Sequence, residues 1–99
     1  MTSSKTARAI ERTNQFKKDF KRELKGRHGK TIESDLKKIL VILIHDEPVT
    51  AKYKDHPLTG NLKDFRDCHL KPDLLLLYSK PNKQTLILVR LGSHSELFR

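Results

Sequence analysis

The chain has no tryptophan, one cysteine, one methionine, four glycines and four prolines in 99 residues. A lone cysteine, Cys68, excludes an internal disulfide, and the lack of any CxxC pair removes the usual zinc signature. No apolar run approaches the roughly 20 residues that a bilayer core demands; the longest, Ile39–Ile44, is far shorter. Residues 1–12 hold no apolar segment of signal-peptide type. Internal repeats and low-complexity segments are absent too. These absences lead us to expect a single cytoplasmic domain over residues 1–99, with residues 1–6 frayed and room for one modest core.

What the chain has in quantity is positive charge: 21 Lys and Arg against 12 Asp and Glu, a formal net charge of +9. Ten of those basic residues and only three of the acidic ones fall within residues 1–30. Such a field draws polyanions, because phosphate contacts release condensed counterions. It also serves solubility, so charge names a class of partner and not a reaction.

Hydrophobic spacing gives the elements. Residues 7–12 alternate weakly around Ile10 and read as a short strand. Phe16, Phe20 and Leu24 recur every four residues, with Asn14 as the expected N-cap. Lys17, Lys18, Lys21, Arg22 and Lys25 cover the other side of that helix. Gly26 and Gly29 bracket a break. Ile32, Leu36, Ile39, Leu40 and Leu43 form one helical stripe, which favours a helix over a buried strand for the β-branched run, and Pro48 stands beyond its end. Residues 46–63 read as a long irregular connection, of the kind that tends to be functional or mobile. Strands are expected over 64–70, 73–78 and 85–91, with short links that make an antiparallel meander. The expected fold class is α+β: a short N-terminal strand, two helices on one face of the sheet, then a three-stranded meander.

Five histidines fall at informative places. His28 reads as solvated, and His45 as a cap on helix carbonyls. His56 lies in the long connection, His69 ends one strand, and His94 follows another. Asp73 starts the strand between them. The meander alone places His69, Asp73 and His94 at one rim of the sheet. Three chemistries suit such a rim. A metal site is disfavoured by the scattered ligands and by Arg66 and Lys54 nearby. Nucleophilic catalysis by Cys68 is disfavoured because Cys68 and His69, adjacent on a strand, point to opposite faces. The third is metal-free phosphodiester cleavage, in which RNA supplies its own 2′-hydroxyl nucleophile. Imidazole moves protons near neutrality, and arginine neutralises phosphate. Strand-end histidines that are only structural remain an open alternative.

Three segments carry a resemblance: Tyr53-Lys-Asp-His-Pro-Leu-Thr-Gly60, Phe65-Arg-Asp-Cys-His-Leu-Lys-Pro-Asp73 with the following Leu-Leu-Leu-Leu-Tyr78, and Leu91-Gly-Ser-His-Ser-Glu-Leu-Phe98. In this order and spacing they resemble the YafQ branch of the RelE/ParE toxin superfamily. The resemblance implies a RelE-like, microbial-ribonuclease-type fold and a ribosome-dependent mRNA endoribonuclease, the toxin of a type II toxin–antitoxin pair. It implies His56, His69, Asp73 and His94 as catalytic residues, with His94 as general acid, Asp73 as base for the 2′-hydroxyl, and His56 and His69 orienting substrate. Arg66, Arg90, Phe98 and Lys54 are the expected substrate contacts. The basic helix face (Lys17, Lys18, Lys21, Arg22, Lys25) would meet ribosomal RNA in the A site or an antitoxin. The sequence departs from similar toxins at Leu74, where they can carry a stacking tryptophan; that leaves Phe98 or Tyr53 for a base.

No metal and no other cofactor is expected, and no membrane. The implied partners are mRNA on the ribosome and a cognate antitoxin, a small ribbon-helix-helix-type DNA-binding protein that blocks the rim. Two other functions share the fold or the charge: a non-catalytic ParE-like gyrase inhibitor, and a plain basic nucleic-acid-binding module.

Overall fold

The computed structural model describes residues 7–98; the expectation of a frayed start at residues 1–6 lies outside them. The elements are β1 (Ala9–Arg12), α1 (Asn14–Leu24), α2 (Ile32–Ile44), β2 (His56–Pro57), β3 (Arg66–Lys71), β4 (Leu74–Asn82), β5 (Thr85–Gly92) and α3 (His94–Leu97), with single 3₁₀ turns at Ala51–Tyr53 and Gly60–Leu62. The sheet order is β1-β5-β4-β3-β2. β3, β4 and β5 form the expected antiparallel meander. β1 lies parallel to β5, with Ala9 opposite Thr85 and Arg12 opposite Leu88.

Local chemistry starts and stops each helix. Thr13, not Asn14, is the N-cap of α1: its hydroxyl accepts from Phe16 N–H at 2.9 Å and donates to the Val89 carbonyl at 2.8 Å, so one side chain both caps the helix and pins it to β5. Gly29 lies within the α1–α2 loop where a Cβ would come 2.1 Å from the Leu24 carbonyl oxygen, an approach only glycine permits. Glu33 and Asp35 in the first turn of α2 suit the positive end of its dipole. The β4–β5 link is tighter than its sequence suggests. Asn82 pairs with Thr85 across a two-residue turn, and register shifts between Ser79 and Asn82 take Pro81 out of the regular ladder.

One core lies between the helices and the sheet. Phe16 of α1 and Ile32, Leu36, Ile39 and Leu43 of α2 meet Cys68, Leu74, Leu76, Tyr78, Leu86, Leu88 and Leu91, all of them buried. The α2 stripe is therefore the core face expected from its spacing. Leu75 and Leu77 are also buried but belong to the other face, because strand side chains alternate. Among the described residues, no helix is long and apolar enough to cross a membrane.

Candidate active site

The site is assembled on the sheet face opposite the helical core. Cys68, Leu74 and Leu76 enter that core, so Asp67, His69, Leu75 and Leu77 project the other way. The register sets Asp67 beside Leu77 and Leu77 beside Arg90; one step on, it sets His69 beside Leu75 and Leu75 beside Gly92. Leu75 and Leu77 thus make an apolar floor between an Asp/His pair on β3 and the end of β5.

His56 reaches this floor through a short strand within the long 46–63 connection. β2 pairs antiparallel with β3, His56 opposite Asp67 and Pro57 opposite Arg66. Proline is tolerated because β2 is an edge strand. Lys54 adopts a left-handed conformation with φ 49°, and His56 Nδ1 lies 2.7 Å from its carbonyl. A carbonyl only accepts, so Nδ1 carries the proton and Nε2 is the nitrogen that faces Asp67. His56 Nε2 is 3.0 Å from Asp67 Oδ1; the imidazole is half exposed, the carboxylate nearly fully buried. The contact is within ion-pair range but off the hydrogen-bond direction, and Asp67 Oδ1 has no aligned donor among the described residues. Burial pushes the Asp67 carboxyl above its ordinary value. The charges of His56 and His69 oppose that rise, Asp55 adds to it, and His94 opposes it more weakly. His56 is thus in contact with a buried carboxylate, and His69 and His94 stand near enough for their charges to act on it.

His94 is the first residue of α3. Ser93 caps that helix in a reciprocal box with Glu96: Ser93 Oγ accepts from Glu96 N–H at 3.2 Å, and Glu96 Oε1 accepts from Ser93 N–H at 2.8 Å. Phe98, one turn on, sets its ring 5.0 Å from the His94 ring, centroid to centroid. Two small clefts of about 120 Å³ each border His69; lysines 38, 52, 54 and 71 contribute to their walls.

The other expected site residues are placed differently. Asp73 lies in the β3–β4 turn at the predicted end of the sheet, but its carboxylate is taken by Arg27 and by His28 Nε2, the latter at 3.0 Å. Burial alone would raise its pKa; the bonds from His28 and Arg27 outweigh that and lower it. His28 is thus a partner of Asp73 and not the freely solvated ring its glycine-flanked loop suggests. His45 caps the Val41 carbonyl at 2.9 Å, as expected. Arg66 is bound to Asp55 Oδ2 through Nε at 3.2 Å and Nη2 at 2.8 Å, while Tyr78 donates to the other oxygen. Arg90 is bound to Asp19 through Nε at 2.9 Å. Neither arginine is a free cation. Lys17, Lys18, Lys21 and Lys25 are exposed on α1, but Arg22 contacts Asp19, Glu23 and Glu96. Cys68 is fully buried, and burial pushes its thiol up, which removes it as a nucleophile. Among the described residues, no three His, Cys, Asp or Glu side chains are grouped closely enough to hold a metal ion.

Residues 8–99 match the family of bacterial toxins of type II toxin–antitoxin systems, YafQ. The chain belongs to the YafQ toxin family. It is 41% identical over 92 residues to the mRNA interferase toxin YafQ of Escherichia coli K12, covering 92% of this chain and 96% of that protein. It superposes on a copper-bound mutant toxin from Helicobacter pylori with a TM-score of 0.81 at 38% identity, covering 94% of this chain and 100% of that one. With a chain of the E. coli DinJ–YafQ complex the TM-score is 0.76 at 36% identity, covering 93% and 99%. The α+β, RelE-like fold expected from the motifs is the fold of these relatives, and the chain is homologous to an endoribonuclease.

Within this YafQ-family chain, Asp67 is the site residue that sequence reasoning passed over. The signal was present: Asp67 and His69 are two apart on a strand and must share a face. The Ser93-x-x-Glu96 capping box was also legible. A cavity of about 690 Å³ lies away from the histidines, between β1, α1 and α2, and is walled mainly by Ile10, Phe20, Leu36, Leu40, Val41 and Ile44.

Proposed function

We propose that the chain is a toxin that cuts mRNA on the ribosome by metal-free general acid–base chemistry and so stops translation. The observation that carries this reading is the contact of half-exposed His56 with buried Asp67, with His69 two residues along the same strand face. Asp67 is 3% exposed and does not itself meet a large substrate. The half-exposed His56 does. Its Nε2, the nitrogen without the proton, takes the proton from the 2′-hydroxyl; the imidazolium that forms is stabilised by the Asp67 charge 3.0 Å from that same nitrogen, while Nδ1–H stays on the Lys54 carbonyl. The 2′-oxygen attacks the adjacent phosphorus and the bond to the 5′-oxygen breaks. His94 donates the proton that the leaving oxygen needs. The products are a 2′,3′-cyclic phosphate and a 5′-hydroxyl. His69, between lysine-lined clefts, supports the phosphate. Each proton transfer is worth on the order of 10²–10⁴ in rate.

This reading moves the base from Asp73 to the His56–Asp67 pair and leaves Asp73 an auxiliary part, holding Arg27 and His28 at that end of the sheet. Phe98 steadies the His94 ring, and the exposed lysines of α1 face ribosomal RNA. The DinJ–YafQ toxin–antitoxin complex of the relative supports a cognate antitoxin as partner; a small ribbon-helix-helix type is what the motif resemblance implies for it. The apolar groove at Ile10, Leu40 and Val41 offers it a surface, since large exposed apolar patches mark interaction sites.

The test is primer extension on an mRNA with and without translating ribosomes. Discrete cleavage only with ribosomes supports the reading. Intact mRNA, with inhibition of supercoiling by the purified protein, would favour the ParE-like alternative.

A further inference from the structure

Leu91, near the end of β5, has no strand on its outer side, because β1 stops at Arg12 opposite Leu88. Side chains of α1 fill that place. Asp19 Oδ2 accepts from Leu91 N–H at 3.0 Å, and Arg22 Nη2 donates to the Leu91 carbonyl at 2.7 Å. The two are joined to each other, Arg22 Nη1 to Asp19 Oδ1 at 2.9 Å. A carboxylate and a guanidinium thus stand in for the missing ladder partner and satisfy both main-chain groups of an edge residue.

The same guanidinium reaches the next element. Its Nε–H donates to Glu23 Oε2 at 3.1 Å and lies in ion-pair contact with Glu96 Oε2 at 3.4 Å, while the other Glu96 oxygen closes the capping box on Ser93. Gly92 lies directly beneath this junction. A Cβ there would stand 2.8 Å from Arg22 Nη2 and 2.9 Å from Glu96 Oε1, so any larger residue pushes the ends of these two side chains aside. Leu91 before Gly92 and Glu96 after it are therefore both in contact with one arginine; Glu96 in turn holds Ser93, and His94 follows Ser93 directly. Most of the five guanidinium donors are engaged inside the protein, unlike the exposed lysines on the same helix.

We propose that Arg22 is a positioning residue: through Leu91 and Glu96 it fixes the start of α3, and with it the His94 ring, so that it acts on the cleavage step and not on RNA docking. The inference rests on the reading of His94 as proton donor. A proton donor displaced by about 1 Å can cost about 100-fold in rate.

The experiment is single-turnover cleavage of mRNA on programmed ribosomes at varied toxin concentration, with thermal melts to establish folding. Arg22→Ala is expected to lower the limiting rate about 10- to 100-fold and leave the half-saturating concentration within about twofold. Lys21→Ala is expected to raise the half-saturating concentration instead. Gly92→Ala and Glu96→Gln should lower the limiting rate in the direction of Arg22→Ala. In a His94→Gln background, Arg22→Ala should add less than about twofold. Should Arg22→Ala fail to fold, Arg22→Lys carries the test: it keeps the charge but cannot reach Asp19, Leu91 and Glu96 together, and should still lose limiting rate. A folded Arg22 variant with wild-type limiting rate and a raised half-saturating concentration would make Arg22 a docking residue and overturn the inference. Wild-type cleavage by His94→Gln is a separate outcome, which sinks the proton-donor assignment and the inference resting on it.

Discussion

His56 Nε2 lies 3.0 Å from Asp67 Oδ1 across the β2–β3 pairing. It joins a residue from an irregular connection to a carboxylate buried in the sheet. Burying a carboxylate without an aligned donor costs folding free energy, and the arrangement is explained if the charge is used in the reaction.

Asp67→Asn should therefore trade activity for stability. The isostere removes the charge beside His56, and cleavage should fall at least about 100-fold. The fold should gain about 1–3 kcal/mol, the cost of an unsatisfied buried polar group. Because the Asp67 pKa is raised in the folded state, the penalty is absent below the ordinary aspartate range and grows as pH rises through it. Denaturant melts at pH 3 and pH 7 check this: the gain should appear at pH 7 and nearly vanish at pH 3.

Asp73 and Asp67 should separate in the same cleavage assay. Asp73 is engaged by Arg27 and His28, so Asp73→Asn should slow cleavage less than Asp67→Asn does. The reverse order would return the base to Asp73.

Acid should unfold the protein through carboxylates held low. Arg8 and Lys80 hold Asp46 at about 2. Burial would raise Asp19, but its bonds from Arg90, Leu91 N–H and Gln15 outweigh that and lower it. A depressed folded pKa contributes stability that is present above the unfolded value and lost as pH falls through the folded one. Stability should thus decline from about pH 4 toward pH 2. Asp19→Ala should cost about 3–5 kcal/mol at pH 7, because Arg90 and Leu91 N–H lose a buried partner; circular dichroism melts measure both.

The groove should matter to the antitoxin and not to cleavage. Val41 is 47% exposed on its wall. Val41→Glu should weaken antitoxin binding at least about tenfold, as loss of an interface anchor does, with cleavage unchanged; calorimetry with the purified antitoxin reads the first and primer extension the second.

Periodicity made the frame legible. Ile32, Leu36, Ile39 and Leu43 are the buried face of α2, and the strand runs meet in the meander that their short links require. His94 was placed correctly at the end of β5 by topology alone. What stayed hidden depends on contacts far apart in sequence. A two-residue strand such as His56–Pro57 has no period to detect, yet it brings His56 to Asp67. Arg22 reads as one more cation on a basic helix, and its bond to Leu91 spans 69 residues. The roles expected of Arg66 and Arg90 as phosphate ligands rested on charge; Asp55 and Asp19 occupy both.

The chemistry of the cut ends tests the central claim most directly. Wild-type protein acting on programmed ribosomes should leave a 2′,3′-cyclic phosphate or its 3′-phosphate and a 5′-hydroxyl, and His94→Gln should form them at least about 100-fold more slowly. Ends carrying a 5′-phosphate, or equal rates for wild type and His94→Gln, would contradict proton transfer at a histidine–aspartate site.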